Sequence, residues 1–338
     1  MKVNILKEIV RYGIGSMFII AAILKLISID EFEIYVYSFD IFNFLLTTLF
    51  SRLLIAGELV IGLLLIFKMC YKFTWRVTLS VQILFTLFLV YVLVFRNDDN
   101  CHCFGELVEL SPMESIVKNV VVIGGLFFIK TKRLQDYKTT SKFVDLFVNR
   151  FIDFRKVLLV VAVMVPFVVT PMDSVYKMIY SSEKEISTVD LYESFDKVVA
   201  MDFIDNDIVF DSTCVFEPKG DKVVAIVSSG CKYCRLGVKK LSLMMKNNGV
   251  TSDDVNIFIW GSREGILNFR EETMTEGCYY WHIMPHEAVD VTLGRFPTFI
   301  ILKEKEIVNI SDFRDIDESF FEPLSFELWT VELWTLNR

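Results

Sequence analysis

The residues best suited to chemistry are two cysteines, Cys231 and Cys234, separated by Lys-Tyr. They follow the β-branched run Lys222–Val227 and a Ser-Ser-Gly break, and they precede an amphipathic stretch that extends to about Asn247. This order predicts a buried strand, a turn and a helix with the cysteines one turn apart at its N-terminus. The helix dipole and the unpaired amides there stabilise a thiolate at the first cysteine. Cys231 is therefore the predicted nucleophile, and Cys234 is predicted to resolve the mixed disulfide.

A C-x-x-C pair is also compatible with half of a zinc site or with a structural disulfide. A zinc site needs a second pair at similar spacing, but Cys214 and Cys278 are both solitary. His282 and His286 are separated by Pro285, which argues against one continuous helical face. Redox chemistry is favoured, and no metal ligand is assigned. Cys214 and Cys278 are compatible with a mutual disulfide, with two free thiols or with a relay pair.

A second cysteine pair lies in the run Cys101-His102-Cys103-Phe104-Gly105. It precedes Ser111-Pro112-Met113-Glu114, a capping box with proline at the first helical position. A C-x-C disulfide closes a small, strained ring, and strain makes a disulfide a better oxidant. The alternative is a soft-metal site formed with Asp98 or Asp99.

The composition indicates a chain that is half membrane-embedded and half soluble. The 338 residues are 53 % hydrophobic and 23 % charged, with a mean hydropathy of +0.46. This is too apolar for an ordinary soluble enzyme and too charged for a chain buried throughout in lipid. The net charge of −8 excludes broad nucleic-acid binding, which needs a basic surface.

Apolar runs of the length needed to span a membrane are concentrated in the first 172 residues. Five spans are predicted, and the last contains Pro166: Val10–Ile27, Asn43–Phe67, Thr74–Phe95, Pro112–Ile129 and Val157–Met172. Lysine and arginine cluster before the first span and in alternate loops, whereas the loop Ile29–Phe42 is acidic and contains neither. The positive-inside rule then predicts a cytoplasmic N-terminus and an outer location for everything after residue 172. Six of the seven cysteines then lie outside, and Cys70 is a cytoplasmic free thiol.

Three polar residues inside the predicted spans form a candidate pocket. With a rise of about 1.5 Å per residue, Arg11 and Glu58 lie about 24 and 22 Å below the outer ends of their helices, and Gln82 lies at a similar depth. This predicts a buried Arg11–Glu58 pair with Gln82 nearby. The functional interpretation is a pocket for a quinone head group or a proton path. The structural one, which we favour, is an ion pair that stabilises the bundle, with Arg11 extending towards the interface.

The soluble half resembles the thioredoxin fold. Val223–Asn247 is similar to its active-site strand and helix, and Phe296-Pro297-Thr298-Phe299 is similar to its cis-proline loop. The likeness covers roughly residues 190–320. It implies a cis Pro297 beside the disulfide, presenting backbone to a bound peptide. The Lys-Tyr between the cysteines differs from the Gly-Pro of thioredoxin itself, and the strand lacks thioredoxin's buried aspartate.

The membrane half resembles the DoxX/MauE-type four-helix proteins. The likeness covers about residues 5–130 and rests on Lys25-Leu26-Ile27, on Arg52 and Glu58 in the second span, and on the C-x-C-F-G run. MauE proteins are linked with maturation of methylamine dehydrogenase, a disulfide-rich periplasmic enzyme. A fusion of such a bundle to a thioredoxin-like domain is similar to membrane proteins of Bacteroidetes-type bacteria. The resemblance implies a redox partner role.

We therefore expect a membrane α-helical bundle, four DoxX/MauE-like helices plus a fifth transmembrane helix, followed by an α/β thioredoxin-like domain. The expected boundaries are 1–130 for the bundle, 131–156 for a cytoplasmic basic linker, 157–172 for the fifth helix and 173–338 for the periplasmic domain. The expected function is thiol–disulfide exchange in a bacterial inner membrane. Its partners would be periplasmic cysteine-containing proteins and membrane lipid.

Electrons are expected to pass from protein thiols through Cys231/Cys234 to Cys101/Cys103 and on to a quinone. Oxidation is favoured because a reducing route from the cytoplasm generally needs a thiol pair inside the membrane, and the predicted spans contain no cysteine. No cofactor is firmly implied, and a quinone is the candidate acceptor. The alternatives are a periplasmic disulfide reductase and a metal-handling or metalloenzyme-assembly protein.

Overall fold

The computed structural model describes residues 2–96, 100–105, 108, 110–130, 142–173, 175, 186, 188–204, 207–248, 250–322 and 324. The chain divides into two compact units. The first comprises Met1–Val36 and Leu46–Met172, and the second comprises Tyr37–Leu45 and Asp173–Arg338.

The first unit is helical. Its helices are α1 (Lys2–Ile27), α2 (Ile29–Tyr37), α3 (Phe44–Phe67), α4 (Tyr71–Phe95), α5 (Pro112–Ile129) and α6 (Lys142–Val169). Within the described residues, α1 from Ile5 onwards, α3, α4 and α5 have the length and apolar composition needed to cross a membrane. These helices confirm the first four predicted spans.

Two features of this unit differ from the prediction. Residues predicted as the outer loop 29–42 include helix α2, whose Phe32 and Ile34 are buried. The predicted boundary between linker and fifth span, at 156/157, falls inside α6. The apolar part of α6, Val157–Val169, is shorter than the about 20 residues of a typical span. Its crossing of the membrane, and hence the side on which the second unit lies, stays a prediction; residues 131–141 lie outside the described residues.

Local sequence explains how the bundle is built. The capping box at α5 is present: Ser111 Oγ accepts from the Glu114 N–H at 3.3 Å, and the Glu114 carboxylate accepts from the Ser111 N–H at 2.9 Å. Glycines allow α1 and α3 to approach closely, since a Cβ at Gly62 would lie 2.8 Å from the Gly15 carbonyl oxygen. Small residues at such crossings are common where helices pack in a membrane.

The second unit is an α/β domain with one mixed sheet. Its elements are α7 (Thr188–Phe195), β1 (Val199–Ile204), β2 (Asp207–Asp211), β3 (Lys222–Ser228), α8 (Lys232–Asn248), β4 (Val255–Trp260), α9 (Arg263–Glu272), β5 (Tyr279–His282), α10 (Pro285–Thr292), β6 (Thr298–Lys303) and β7 (Glu306–Ser311). The strand order is β2-β1-β5-β4-β3-β6-β7. Strands β3, β4 and β5 run parallel, whereas β6 is antiparallel to β3 and β7 to β6.

The central strands are apolar without alternation because both faces of the sheet are covered. In β3, Val223, Ala225 and Val227 belong to one core, and Val224 and Ile226 belong to the other. The predicted strand before Cys231 is confirmed as β3. The apolar runs Asn256–Trp260 and Thr298–Leu302 also predict strands, and Lys303-Glu-Lys-Glu306 predicts a turn into Ile307–Ile310; β4, β6 and the β6–β7 hairpin confirm these predictions. The topology brings the C-terminal end of β3, the start of α8 and the loop before β6 into one region.

Candidate redox-active site

Cys231 and Cys234 lie at the junction between β3 and α8, as the sequence predicts. Cys231 directly precedes the helix and is half-buried, whereas Cys234 in the first turn is fully buried. The Cys234 N–H donates to Cys231 Sγ at 3.3 Å. The Ser228 N–H, at the end of β3, points towards Cys234 Sγ at 3.5 Å. The outer sulfur is thus accessible, and the inner one is shielded.

The electrostatics give the two cysteines different roles. The Cys234 thiol donates to Cys231 and, with the backbone N–H groups of Cys234 and Tyr233 and the nearby Arg235, lowers the pKa of Cys231 to about 6 against the opposing effect of burial. The same hydrogen bond and burial raise the pKa of Cys234. Of the two thiols, Cys231 therefore has the lower pKa, which is the property that a nucleophilic cysteine needs. The assignment of nucleophile and resolving residue stays a prediction.

Arg235 was not singled out from the sequence, yet it fixes the loop that holds Cys231. Its Nε and Nη2 atoms both donate to the Ser229 carbonyl oxygen at 3.1 Å, and Nη1 lies 3.2 Å from the Glu272 carboxylate. The available signal was a cation directly after the second cysteine, at a helix start where the dipole disfavours positive charge.

Pro297 follows a cis peptide bond with Phe296, as the resemblance implied. Its loop packs on α8 one turn beyond Cys234. A Cβ at Gly237 would lie 3.1 Å from Pro297 Cγ and 2.9 Å from Phe299 Cζ. Only a glycine fits there without a shift of the loop. The structure therefore brings Pro297 to the helix that carries the reactive cysteines.

Cys101 and Cys103 form a second polarised pair between α4 and α5. Cys101 is buried, with Sγ 2.9 Å from Ser115 Oγ, and it accepts from the Cys103 N–H at 3.3 Å. The Cys103 thiol, followed by Ser115, the Cys103 amide and Lys118, lowers the pKa of Cys101 to about 6 although burial opposes this. The same thiol contact and burial raise the pKa of Cys103. In both pairs the first cysteine has the lowered pKa, but in the C-x-C pair that cysteine is the more buried of the two.

The C-x-C loop is held against the end of α1. Gly105 has a φ of +69°, and a Cβ there would overlap Ser28 Oγ and lie 2.8 Å from the Leu24 carbonyl oxygen. The ring of His102 lies 4.3 Å from the ring of Tyr35 on α2. Glycine in the C-x-C-F-G run is therefore required by a close backbone approach as well as by its positive φ.

Comparison with known proteins agrees with this architecture. Residues 3–130 match the model of the family described as methylamine utilisation protein MauE. This part of the chain is a MauE-family domain. The chain is also 27 % identical over 316 residues to Protein TlpB of Flavobacterium psychrophilum, an alignment that covers 82 % of this chain and 83 % of that protein. The chain is thus a membrane protein with a MauE domain followed by a thioredoxin-like α/β domain.

The predicted Arg11–Glu58 pair is wrong. Inside the MauE domain, Arg11 pairs with Glu8 and donates to the carbonyl oxygens of Leu65 and Ile66 at the end of α3. Glu58 instead accepts from Lys25 Nζ at 2.6 and 2.8 Å.

Arg11 and Glu58 lie at different levels because α1 ends near the middle of α3, and α2 continues along the rest of α3. Lys25 contacts α3 at Glu58, whereas Glu33 of α2 pairs with Arg52, about 9 Å further along α3. Gln82 lies 3.5 Å from Asn119 of α5, not beside Arg11 or Glu58. The three proposed pocket residues are therefore not brought together.

Arg52 also joins α6 to the MauE domain. Its Nε and Nη2 atoms donate to the carbonyl oxygens of Thr170 at 2.9 Å and Pro171 at 3.1 Å. Its pairing with Glu33 is buried. Arg52 thereby ties the end of α6 to α2 and α3.

The remaining cysteines are not part of either pair. All seven cysteines are thiols, with Cys70 and Cys214 exposed and Cys278 half-buried. Burial raises the pKa of Cys278 to about 12. A Cys214–Cys278 disulfide stays a hypothesis. Asp98 and Asp99 of the metal alternative lie outside the described residues, within which no three His, Cys, Asp or Glu side chains gather as a metal cluster.

Proposed function

We propose that this chain is a membrane-anchored thiol–disulfide oxidoreductase that oxidises periplasmic protein thiols and passes the electrons to a quinone. The observation that carries the proposal is the polarised pair at the start of α8. Cys231 has a pKa of about 6 and an accessible sulfur, and Cys234 is buried and protonated. The loop that carries Pro297 packs on the same helix, and the resemblance to thioredoxin implies that its backbone faces a bound peptide there. This arrangement suits exchange with a cysteine in a protein substrate.

In the oxidising direction, the first exchange reduces the Cys231–Cys234 disulfide. A substrate thiolate attacks Cys231 Sγ, the disulfide bond breaks, and Cys234 takes up the electron pair and then a proton. A second substrate thiolate attacks the substrate sulfur of the mixed disulfide and releases Cys231 as a thiolate. The substrate loses two electrons and two protons overall, and the cysteine pair gains the electrons.

The second exchange moves those electrons to the MauE domain. The Cys231 thiolate attacks the C-x-C disulfide at Cys103, because Cys103 is half-buried whereas Cys101 is only 3 % exposed. Cys101 leaves as the thiolate, and its pKa of about 6 makes it a good leaving group. Cys234 loses its proton, attacks Cys231 Sγ and releases Cys103. A quinone then takes two electrons and two protons from Cys101 and Cys103 and becomes a quinol.

The experiment is a quinone-dependent reoxidation of the full chain in lipid nanodiscs. After reduction and removal of the reductant, a short-chain ubiquinone or menaquinone analogue is added, and the Cys231/Cys234 redox state is followed by thiol alkylation. We expect reoxidation in the unaltered chain and in C214S, which removes an exposed cysteine outside both pairs. We expect none in the double variant C101S/C103S. Equal reoxidation in that variant would exclude the C-x-C pair as the route.

Reduction potentials decide the direction. We expect the C-x-C pair to have a higher potential than the C-x-x-C pair, which itself should lie near −120 to −180 mV, the range of DsbA and protein disulfide isomerase. A C-x-x-C value near −270 mV, as in thioredoxin, together with a lower value for C-x-C, would make the chain a reductase.

A further inference from the structure

Three charged side chains from three helices gather beside the C-x-C loop. Lys118 of α5 lies one helical turn from Ser115, the residue in contact with Cys101. Its Nζ atom lies 4.4 Å from the centre of the Phe104 ring, directly after Cys103. Lys118 therefore lies on the same face of α5 as the loop.

Lys25 and Glu58 form the second part of this cluster. Their side chains are 4 % and 8 % exposed, and the ammonium group contacts both carboxylate oxygens. Lys118 interacts electrostatically with Cys103, Lys25, Cys101 and Glu58. Lys25 also acts on Cys103.

The charge of this cluster depends on the redox state of the cysteines. The Lys25–Glu58 pair is neutral overall, so Lys118 leaves the cluster with one positive charge when Cys101 and Cys103 form a disulfide. When the disulfide is reduced to one thiol and one thiolate, the negative charge of the thiolate brings the net charge of the cluster and the cysteines to zero. An uncompensated charge in a poorly solvated site is costly. The charged residues around Cys101 and Cys103 therefore favour the reduced pair over the disulfide.

We propose that Lys118 stabilises the leaving thiolate of Cys101 electrostatically, so that reduction of the C-x-C pair neutralises a half-buried positive charge. This proposal rests on the proposed function in one respect, namely that Cys101 and Cys103 cycle between disulfide and dithiol. Lys118 is then a positioning residue, which acts on the cysteines and touches no substrate. It makes the C-x-C pair a stronger electron acceptor.

The other charged residues near Cys101 and Cys103 do not supply the positive charge that Lys118 supplies. Among the described residues, those facing the two thiols are Lys118 from α5 and Lys25 from α1, with Glu58 of α3 behind Lys25. His102 lies between the cysteines, and its ring is tilted by 40° against the ring of Tyr35. Glu58 already compensates Lys25, so Lys118 supplies the net positive charge.

The test compares K118M with K118R and with K130M in the reduced full chain in nanodiscs. Lys130 caps the opposite end of α5 and is exposed, so K130M removes the same charge from the same helix without altering the site. Iodoacetamide labelling of Cys101 is measured against pH, with peptide mass spectrometry to separate Cys101 from Cys103. The rate follows the thiolate fraction.

We expect a labelling midpoint near pH 6 in the unaltered chain, in K118R and in K130M. In K118M the midpoint should rise by about one pH unit, the lower end of the effect that a nearby opposite charge has on the pKa of a group. Labelling at pH 6 should then be about fivefold slower, because the thiolate fraction falls from about one half to about one tenth.

An unchanged midpoint in K118M would overturn the proposal, as would a rise of equal size in K130M. If K118M does not purify as a folded chain, K118Q also removes the positive charge, with a polar side chain, and is judged by the same criteria. The readout is a titration, so it is independent of electron transfer. Loss of quinone-dependent reoxidation in C101S/C103S tests the proposed function separately.

Discussion

Replacement of Gly237 by alanine tests how closely the cis-proline loop packs on the reactive helix. The added Cβ would lie 2.9 Å from Phe299 Cζ and 3.1 Å from Pro297 Cγ, whereas carbon atoms pack best at about 3.5–4.0 Å. Phe299 is fully buried in β6, next to β3 in the sheet, and cannot rotate away. We therefore expect the substitution to displace the loop and destabilise the domain.

Two opposing effects set the magnitude. Alanine in a helix interior is more favourable than glycine by about 1 kcal/mol. Overpacking in a filled core costs about 1–3 kcal/mol. The expected net loss is about 1 kcal/mol, and with a urea dependence of about 2 kcal/mol per molar the unfolding midpoint should fall by about 0.5 M.

The assay is pulse proteolysis of the purified full chain in detergent across a urea series, with the protected C-terminal domain followed on gels. G230A is the matched control, because a Cβ at Gly230, directly before Cys231, has no neighbour within 4 Å. We expect G230A to leave the midpoint unchanged. A midpoint for G237A at or above that of the unaltered chain would show that helix propensity outweighs the overlap, and the inferred packing of Pro297 on α8 would be refuted.

Three further outcomes are expected. Iodoacetamide labelling of Cys231 in the reduced chain should have its midpoint near pH 6 and fall about tenfold for each pH unit below that, because only the thiolate reacts. In R235M this midpoint should rise, since the variant loses the cation near Cys231 and both hydrogen bonds to the Ser229 carbonyl oxygen. E58Q should destabilise the MauE domain by about 3–5 kcal/mol, because it leaves Lys25 buried beside a neutral amide, and a lowered thermal aggregation temperature would report the loss.

Surface ion pairs provide the controls for these variants. R263M removes an exposed arginine paired with Asp207, and E217Q removes an exposed carboxylate paired with Lys219. Because both pairs are exposed to solvent, neither substitution should change stability measurably. The first prediction would be contradicted by a Cys231 labelling midpoint near pH 8.5. The second would be contradicted if R235M had the same labelling profile as R263M, and the third if E58Q were as stable as E217Q.

Much of the fold was predictable from the sequence because it is set by local pattern. Apolar runs of sufficient length gave the four spanning helices, and a Ser-Pro-x-Glu signature gave the start of α5. A β-branched run followed by Cys231 gave β3 and α8. The elements that were missed are short or mostly polar: β1, β2, β5, α7, α9 and α10. Strand β5 has four residues, too few for a periodic signal.

The candidate site was predictable where a motif carries it. Spacing and resemblance identify Cys231, Cys234 and Pro297, and in the structure the two cysteines lie at the start of α8 while the loop of Pro297 packs on that helix. Arg235 and Lys118 were not recognised as parts of a site, because a single cation near a cysteine is common and only contacts distinguish it.

The sequence by itself determined which segments are helices and strands, which cysteines are paired by spacing and which charged residues are embedded in apolar runs. Only the tertiary structure decided which charges meet. Equal outer levels for the two helices would pair Glu58 with Arg11, but α1 ends close to the level of Glu58 and α2 continues along α3, so that Glu58 meets Lys25. An ion pair depends on the relative displacement of two helices, and spacing along one chain does not contain that displacement.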